Sequence, residues 1–121
     1  MSLVPVAINP SYSASKAALN AFIMCVREEL SHASSGVKIV EVFAPTVQSE
    51  IHDELMGVER GRAFGMPADE FAEQTYKKLL AGGNQVVVGN IPGSDPELYS
   101  TMMESRQAIF DSMSKQIWSY F

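Results

Sequence analysis

A chain of 121 residues with 46% apolar side chains is long enough for one packed domain. Nine Lys and Arg against fourteen Asp and Glu leave a net charge of −5, and no basic run occurs, which argues against a nucleic-acid partner. Cys25 is the sole cysteine, so an internal disulfide and a cysteine-cluster metal site are excluded.

Met1-Ser2-Leu3 reads as a leader. Asn9 followed by Pro10 is a helix cap with proline in the first helical position, and it predicts a helix over residues 10–33. The apolar residues of that helix cover most of its circumference, so it is expected to be buried on more than one side. One side would cover a sheet, the alanines would admit a second helix, and Cys25 would be a buried small hydrophobe. Gly36 ends the linker. Residues 37–43 run apolar and β-branched, as in a buried parallel strand. Residues 50–66 mix Ile51, Leu55, Met56, Phe64 and Met66 with three glycines and read as a short helix followed by a mobile loop. Pro67 starts a second helix. It has Asp69 and Glu70 in its first turn, Lys77 and Lys78 in its last, and Gly82 as its stop. Phe71, Tyr76, Leu79 and Leu80 give that helix its apolar side. Residues 85–88 read as a strand and 90–93 as a turn. Asp95 and Pro96 then cap a terminal amphipathic helix within 94–120, with Leu98, Met102, Ile109, Met113 and Ile117 as its stripe.

The order is helix, strand, helix, strand, helix. That is a βαβ unit with a helix at each end, an α/β arrangement with two parallel strands. Two strands with exposed edges rarely stand alone. The expectation is therefore a single partial domain over 1–121 that self-associates as a dimer or higher oligomer. No apolar run approaches the roughly eighteen residues of a membrane span. The N-terminus lacks a signal-peptide pattern, and one unpaired cysteine fits a reducing compartment. A cytoplasmic protein with no membrane partner is expected. His32 and His52 have no partners at metal-ligand spacing and read as surface residues, so no metal site is expected. The acidic charges on the terminal helix argue against an interfacial membrane helix there.

The chemistry-bearing stretch is Pro10-Ser11-Tyr12-Ser13-Ala14-Ser15-Lys16-Ala17-Ala18-Leu19-Asn20-Ala21-Phe22. Tyr12 and Lys16 are four apart, which stacks them on one helix face. An ammonium beside a phenol favours the phenolate, and a tyrosine tuned that way can serve as a general acid or base near neutral pH.

The string from Tyr12 to Leu19 resembles the catalytic helix of the short-chain dehydrogenase/reductase family. Val37-Lys38-Ile39-Val40-Glu41-Val42-Phe43-Ala44-Pro45-Thr46-Val47-Gln48-Ser49-Glu50 resembles that family's sixth strand and the loop after it, usually written Pro-Gly-x-Val-x-Thr. Gln85-Val86-Val87-Val88-Gly89 resembles its seventh strand. The resemblance spans roughly residues 4–90. It implies the C-terminal part of a doubly wound Rossmann-like fold, from the Tyr-x-x-x-Lys helix onward, with the N-terminal dinucleotide-binding half absent. It implies an NAD(P)-dependent oxidoreductase acting on a small-molecule carbonyl or alcohol. Tyr12 and Lys16 would be catalytic. Tyr12, Lys16, Pro45, Val47 and Ser49 would face the cofactor, and residues 50–66 would lie over the substrate. Two departures stand out: Ala44-Pro45 replaces the usual Pro-Gly, and Ser49 replaces threonine. The lost glycine bears on the loop's backbone angles.

No Gly-x-Gly-x-x-Gly turn occurs in the chain. The family's catalytic serine and its strand-four asparagine would fall before residue 1. The resemblance thus implies an expression fragment, a truncated gene product or a proteolytic product. The cofactor, NAD or NADP, would belong to the intact parent, with none bound by this chain, which would be inactive alone. The alternative is a non-catalytic dimerisation or interaction fragment that associates through helix 10–33, since the family commonly dimerises through this helix and its neighbour.

Overall fold

A computed structural model describes residues 4–90 and 93–121. The leader at residues 1–3, and Ile91 and Pro92 of the turn at 90–93, lie outside the described residues. The chain divides into two units, one reaching Gly89 and one running from Asn90 to Phe121. It is mostly helical, with one small parallel sheet of two strands.

The first unit begins with α1 (Pro10–His32). Its start is fixed by Asn9, whose side chain accepts the Tyr12 N–H at 3.1 Å, and by Pro10 in the first turn. The Val6 N–H donates to the Ser13 hydroxyl at 2.8 Å and so ties the preceding segment to the helix. The helix closes within a residue of the expected 33. Ser35 donates to the Leu30 carbonyl at 2.8 Å and Ser34 to that of Ser31 at 3.0 Å. Ser34, at φ 53°, takes the left-handed position that glycine usually holds in such a close.

The strands are β1 (Glu41–Phe43) and β2 (Gln85–Val87), paired in parallel with Val42 opposite Val86. The expected strand over 37–43 is shortened to three residues. A ladder extends only as far as its neighbour, and β2 begins just after Gly82 and Gly83, both at positive φ, where the chain turns. β1 also alternates: Glu41 and Phe43 are buried while Val42 is exposed. Met24, Phe43, Val86 and Val88 are the buried apolar residues among those described.

Between the strands lie a 3-10 turn (Glu50–His52), α2 (Asp53–Met56), α3 (Val58–Ala63) and α4 (Ala68–Ala81). The mobile loop expected after a short helix is instead a second helix, leaving only 64–66 irregular. Two features make this possible. Arg62 forks onto Asp53, with Nη2 to Oδ2 at 2.9 Å and Nε to Oδ1 at 3.1 Å. Gly61 is buried where an added Cβ would stand 2.9 Å from the Asp53 carboxylate and from the His52 backbone, so α3 can lie directly on the start of α2. In α4 the apolar side expected from Phe71, Tyr76, Leu79 and Leu80 is half-buried only at Phe71. The Lys78 ammonium instead ties the helix to the sheet by donating to the Val87 carbonyl at 2.6 Å.

α1 is held to the strands by a buried polar group. Asn20, 1% exposed, donates its amide to both Glu41 carboxylate oxygens, at 3.1 and 2.9 Å. Arg27 donates from Nε to the Ile39 carbonyl at 2.9 Å and from Nη2 to that of Asn84 at 2.7 Å. Its Nη2 also stands 3.9 Å from Glu41 Oε2. Burial pulls the guanidinium below its ordinary value and Glu41 opposes that shift; arginine stays charged regardless. Only this side of α1 is packed. Leu19, Phe22 and Cys25 face outward, correcting the expectation of burial on several sides and of a buried cysteine. A two-stranded sheet is too narrow to cover more than one helix face.

The second unit is α5 (Pro96–Trp118), capped by Asp95, whose carboxylate accepts the Glu97 N–H at 2.9 Å. Trp118 and Phe121 meet edge to face at 6.4 Å between ring centroids. Among the described residues no helix is long and apolar enough to cross a membrane.

Replacing Asn20 by Leu leaves a buried carboxylate without its amide donor. It should lower the unfolding free energy in urea by about 2 kcal/mol. Asn20→Leu combined with Glu41→Leu should recover more than half of that loss. An Asn20→Leu protein as stable as the parent would remove this network from the account of stability.

Candidate functional site

Tyr12 sits in the first turn of α1, 40% exposed. One turn on, the Lys16 ammonium lies over the tyrosine ring, 5.4 Å from its centroid. A cation over an aromatic face at an exposed site is worth about 0.5–1 kcal/mol. Among the described residues no carboxylate lies within ion-pair distance of Lys16, so its N–H donors remain available to a ligand. Below these two residues the same stripe continues to Asn20, where the buried network begins.

The network also sets direction. Asn20 meets Glu41, and Arg27, further along α1, meets the Ile39 and Asn84 carbonyls that precede the two strands. α1 therefore runs antiparallel to β1. Its N-terminal turns, with Tyr12 and Lys16, extend toward the carboxyl end of the sheet. The loop 44–49 leaves β1 at that same end. In open α/β sheets the crevice beyond the carboxyl ends of the strands is where ligands bind.

Pro45, Val47 and Ser49 are all half-buried on that loop. Val47 forms a parallel bridge with Met66. The Met66 N–H donates to the Thr46 carbonyl and the Gln48 N–H to the Met66 carbonyl, each at 2.9 Å. The Gln48 side-chain amide adds a bond to the Gly65 carbonyl at 3.2 Å. Ser34 is the one described non-glycine residue at positive φ, so Ala44-Pro45 needs no glycine conformation here. The close approach falls at Gly65 instead: φ is 105°, and an added Cβ would stand 2.5 Å from the Thr46 carbonyl oxygen. The Ser49 hydroxyl donates to the Val47 carbonyl at 3.4 Å, a long bond that leaves it free to turn.

The sequence-derived residues thus form two groups, Tyr12 with Lys16 and the loop with Pro45, Val47 and Ser49. Among the described residues no hydrogen bond or ion pair joins the groups. A shallow groove of about 410 Å³ runs between the segment at 5–7 and α1, lined by Pro5, Val6, Pro10, Ser13, Ala14 and Ala17 among others, but by neither Tyr12 nor Lys16. The sequence reading missed Gln48, the Gly65 contact and the Asn20–Glu41–Arg27 network. One signal for the network was visible: Glu41 is a lone acid inside an apolar strand. The described residues contain no cluster of His, Cys, Asp and Glu able to hold a metal ion. Comparison with protein-family models, with curated proteins and with solved structures finds no match for this chain.

The tie between the loop and 64–66 closes the helical segment 50–63 at both ends. Gly65→Ala should cost about 2 kcal/mol through positive φ and the Thr46 contact, and trypsin should then cut faster after Arg60 and Arg62. Unchanged cleavage would show that the tie does not hold α3.

Proposed function

We propose that Tyr12 and Lys16 are the acid–base pair of an NAD(P)-dependent oxidoreductase of the short-chain dehydrogenase/reductase type, acting on a small carbonyl or alcohol. The observation that carries this is the Lys16 ammonium over the Tyr12 ring at the exposed start of α1, 5.4 Å from its centroid, within the string Tyr-Ser-Ala-Ser-Lys. The finer fold reading belongs here too: the helix, strand, helix, strand order fits the C-terminal part of a doubly wound sheet.

In carbonyl reduction Tyr12 would give its hydroxyl proton to the substrate oxygen, leaving the alcohol and a phenolate. In alcohol oxidation it would take that proton back. The nicotinamide cofactor, NAD or NADP, supplies or accepts the hydride. Lys16 fits the sugar side of such a group, because the residue is half-buried and its ammonium has no carboxylate ion-pair partner among the described residues. The backbone at Pro45 and Val47 and the Ser49 hydroxyl would meet the nicotinamide end. The sequence contains no Gly-x-Gly-x-x-Gly turn for a pyrophosphate, so the chain alone is expected to hold no cofactor tightly.

A second reading has its own support. Phe22 is 65% exposed on α1, beside the outward alanines, a surface suited to a non-catalytic dimerisation or interaction fragment.

Titrating the purified chain with NADPH and NADH, followed by cofactor fluorescence, tests the first reading. Expected is weak binding near the millimolar range, about −4 kcal/mol, lost in Lys16→Ala and kept in Tyr12→Phe. Equal binding by Lys16→Ala would overturn the catalytic reading and leave the interaction reading, whereas no binding at all would confine the pair's chemistry to the intact parent.

A further inference from the structure

The two edges of the sheet are not alike. In a parallel ladder successive residues turn their backbone groups to opposite sides. The Glu41 N–H donates to the Asn84 carbonyl, and the Phe43 carbonyl accepts the Val88 N–H. Glu41 and Phe43 therefore bond to β2. The N–H and carbonyl of Val42 point the other way, to a side of β1 where no further strand runs among the described residues. Val42 is also the exposed residue of its strand, at 39%. On β2 the residues that face away from β1 are Gln85 and Val87. There the Lys78 ammonium donates to the Val87 carbonyl at 2.6 Å, and a lysine on a strand edge discourages further pairing. One edge of the sheet is closed by a charge and the other is open.

We infer that the open edge of β1 pairs antiparallel with β1 of a second copy of the chain. Val42 offers one donor and one acceptor on extended backbone, which another strand matches and a side-chain surface does not. Closure selects the second copy as that strand. A two-fold axis at Val42 builds a four-stranded sheet in the order β2, β1, β1, β2. Both of its outer edges then carry Lys78 on Val87, so growth stops at two copies. A foreign strand would leave its own far edge open. Four strands also exceed the three that an independent sheet needs. The register is favourable. Val42 and the partner's Val42 exchange two N–H···O=C bonds, and β-branched side chains pair well across strands. Glu41 falls opposite the partner's Phe43, so the two carboxylates do not face each other, and each keeps its own Asn20 amide. This pairing is independent of the oxidoreductase reading and does not use the outward face of α1.

Hydrogen exchange of the full chain, read by NMR amide by amide, tests the pairing directly. Over a hundredfold rise in protein concentration the Val42 N–H should slow at least about tenfold, while the Gln85 N–H on the closed edge should not change. In sedimentation the parent should reach a dimer and no further. Val42→Pro should stay monomeric. It removes an N–H that the β1–β2 ladder does not use, and proline is accepted at such an edge. Lys78→Ala should open the second edge and give assemblies larger than a dimer. Exchange at Val42 that is independent of concentration would overturn the inference, and so would a parent that sediments as a monomer throughout. A dimer kept in Val42→Pro would also overturn it and assign the association to another surface. Lys78→Ala stopping at a dimer would remove the closure argument, and with it the choice of a second copy.

Discussion

A carboxylate in the core is the constraint around which the first unit is organised. Glu41 is 8% exposed on a three-residue strand, and a buried charge is tolerated only with donors around it. Asn20 supplies the amide and Arg27 the nearby positive charge. Both come from α1, at positions seven residues apart and so on one face. Meeting the needs of Glu41 therefore fixes which face of α1 turns inward and how far along β1 it lies. Arg27 does more than neutralise. Its donors take the Ile39 and Asn84 carbonyls, and the Asn84 carbonyl also accepts the Glu41 N–H at 3.0 Å. One guanidinium thus gathers the entrances of both strands. The polar cluster occupies the amino end of the sheet, which leaves the carboxyl end to Tyr12, Lys16 and the loop after β1.

That loop is positioned by the backbone more than by side chains. Thr46 to Gln48 run beside Met66, and the approach is so close at Gly65 that no side chain fits there. A proline at 45 suits this arrangement, because its ring packs on Gly89, where an added Cβ would stand 3.1 Å away. The conformational freedom of glycine is used on the neighbouring segments, at 65 and 89, both at positive φ.

The helices were legible in the sequence where their ends carry their own chemistry. Asn9 with Pro10, Gly82, and Asp95 with Pro96 mark termini that the structure keeps to within a residue or so. These are local effects, and a local reading captures them. The length of β1 was not legible, because it depends on where β2 begins, more than forty residues away. Nor was the helical form of 58–63, which depends on Arg62 reaching back to Asp53 and on the missing side chain at Gly61. Cys25 was misjudged for a related reason: an apolar helix circumference records what could be buried, while the width of the sheet decides what is. Tyr12 and Lys16 stand together because their spacing is itself local. Their relation to Pro45, Val47 and Ser49 depends on the antiparallel run of α1 along β1, which no pattern in either segment announces.

The two readings of α1 use different faces and need not compete. Tyr12, Lys16 and Asn20 descend one stripe at four-residue spacing, and that stripe turns inward as it reaches Asn20. Ala14, Ala18, Ala21 and Cys25 descend another, also at helical spacing and exposed throughout. At 100° per residue the two stripes lie on opposite sides of the helix. A helix laid against the alanine stripe would touch small side chains and would not meet the tyrosine or the lysine. An α1 of this design can be both an association surface and the carrier of an acid–base pair. A mutation on one stripe is then a clean probe of one role. Phe22 and Cys25 can be changed without approaching Lys16, and Lys16 can be changed without altering the outward face.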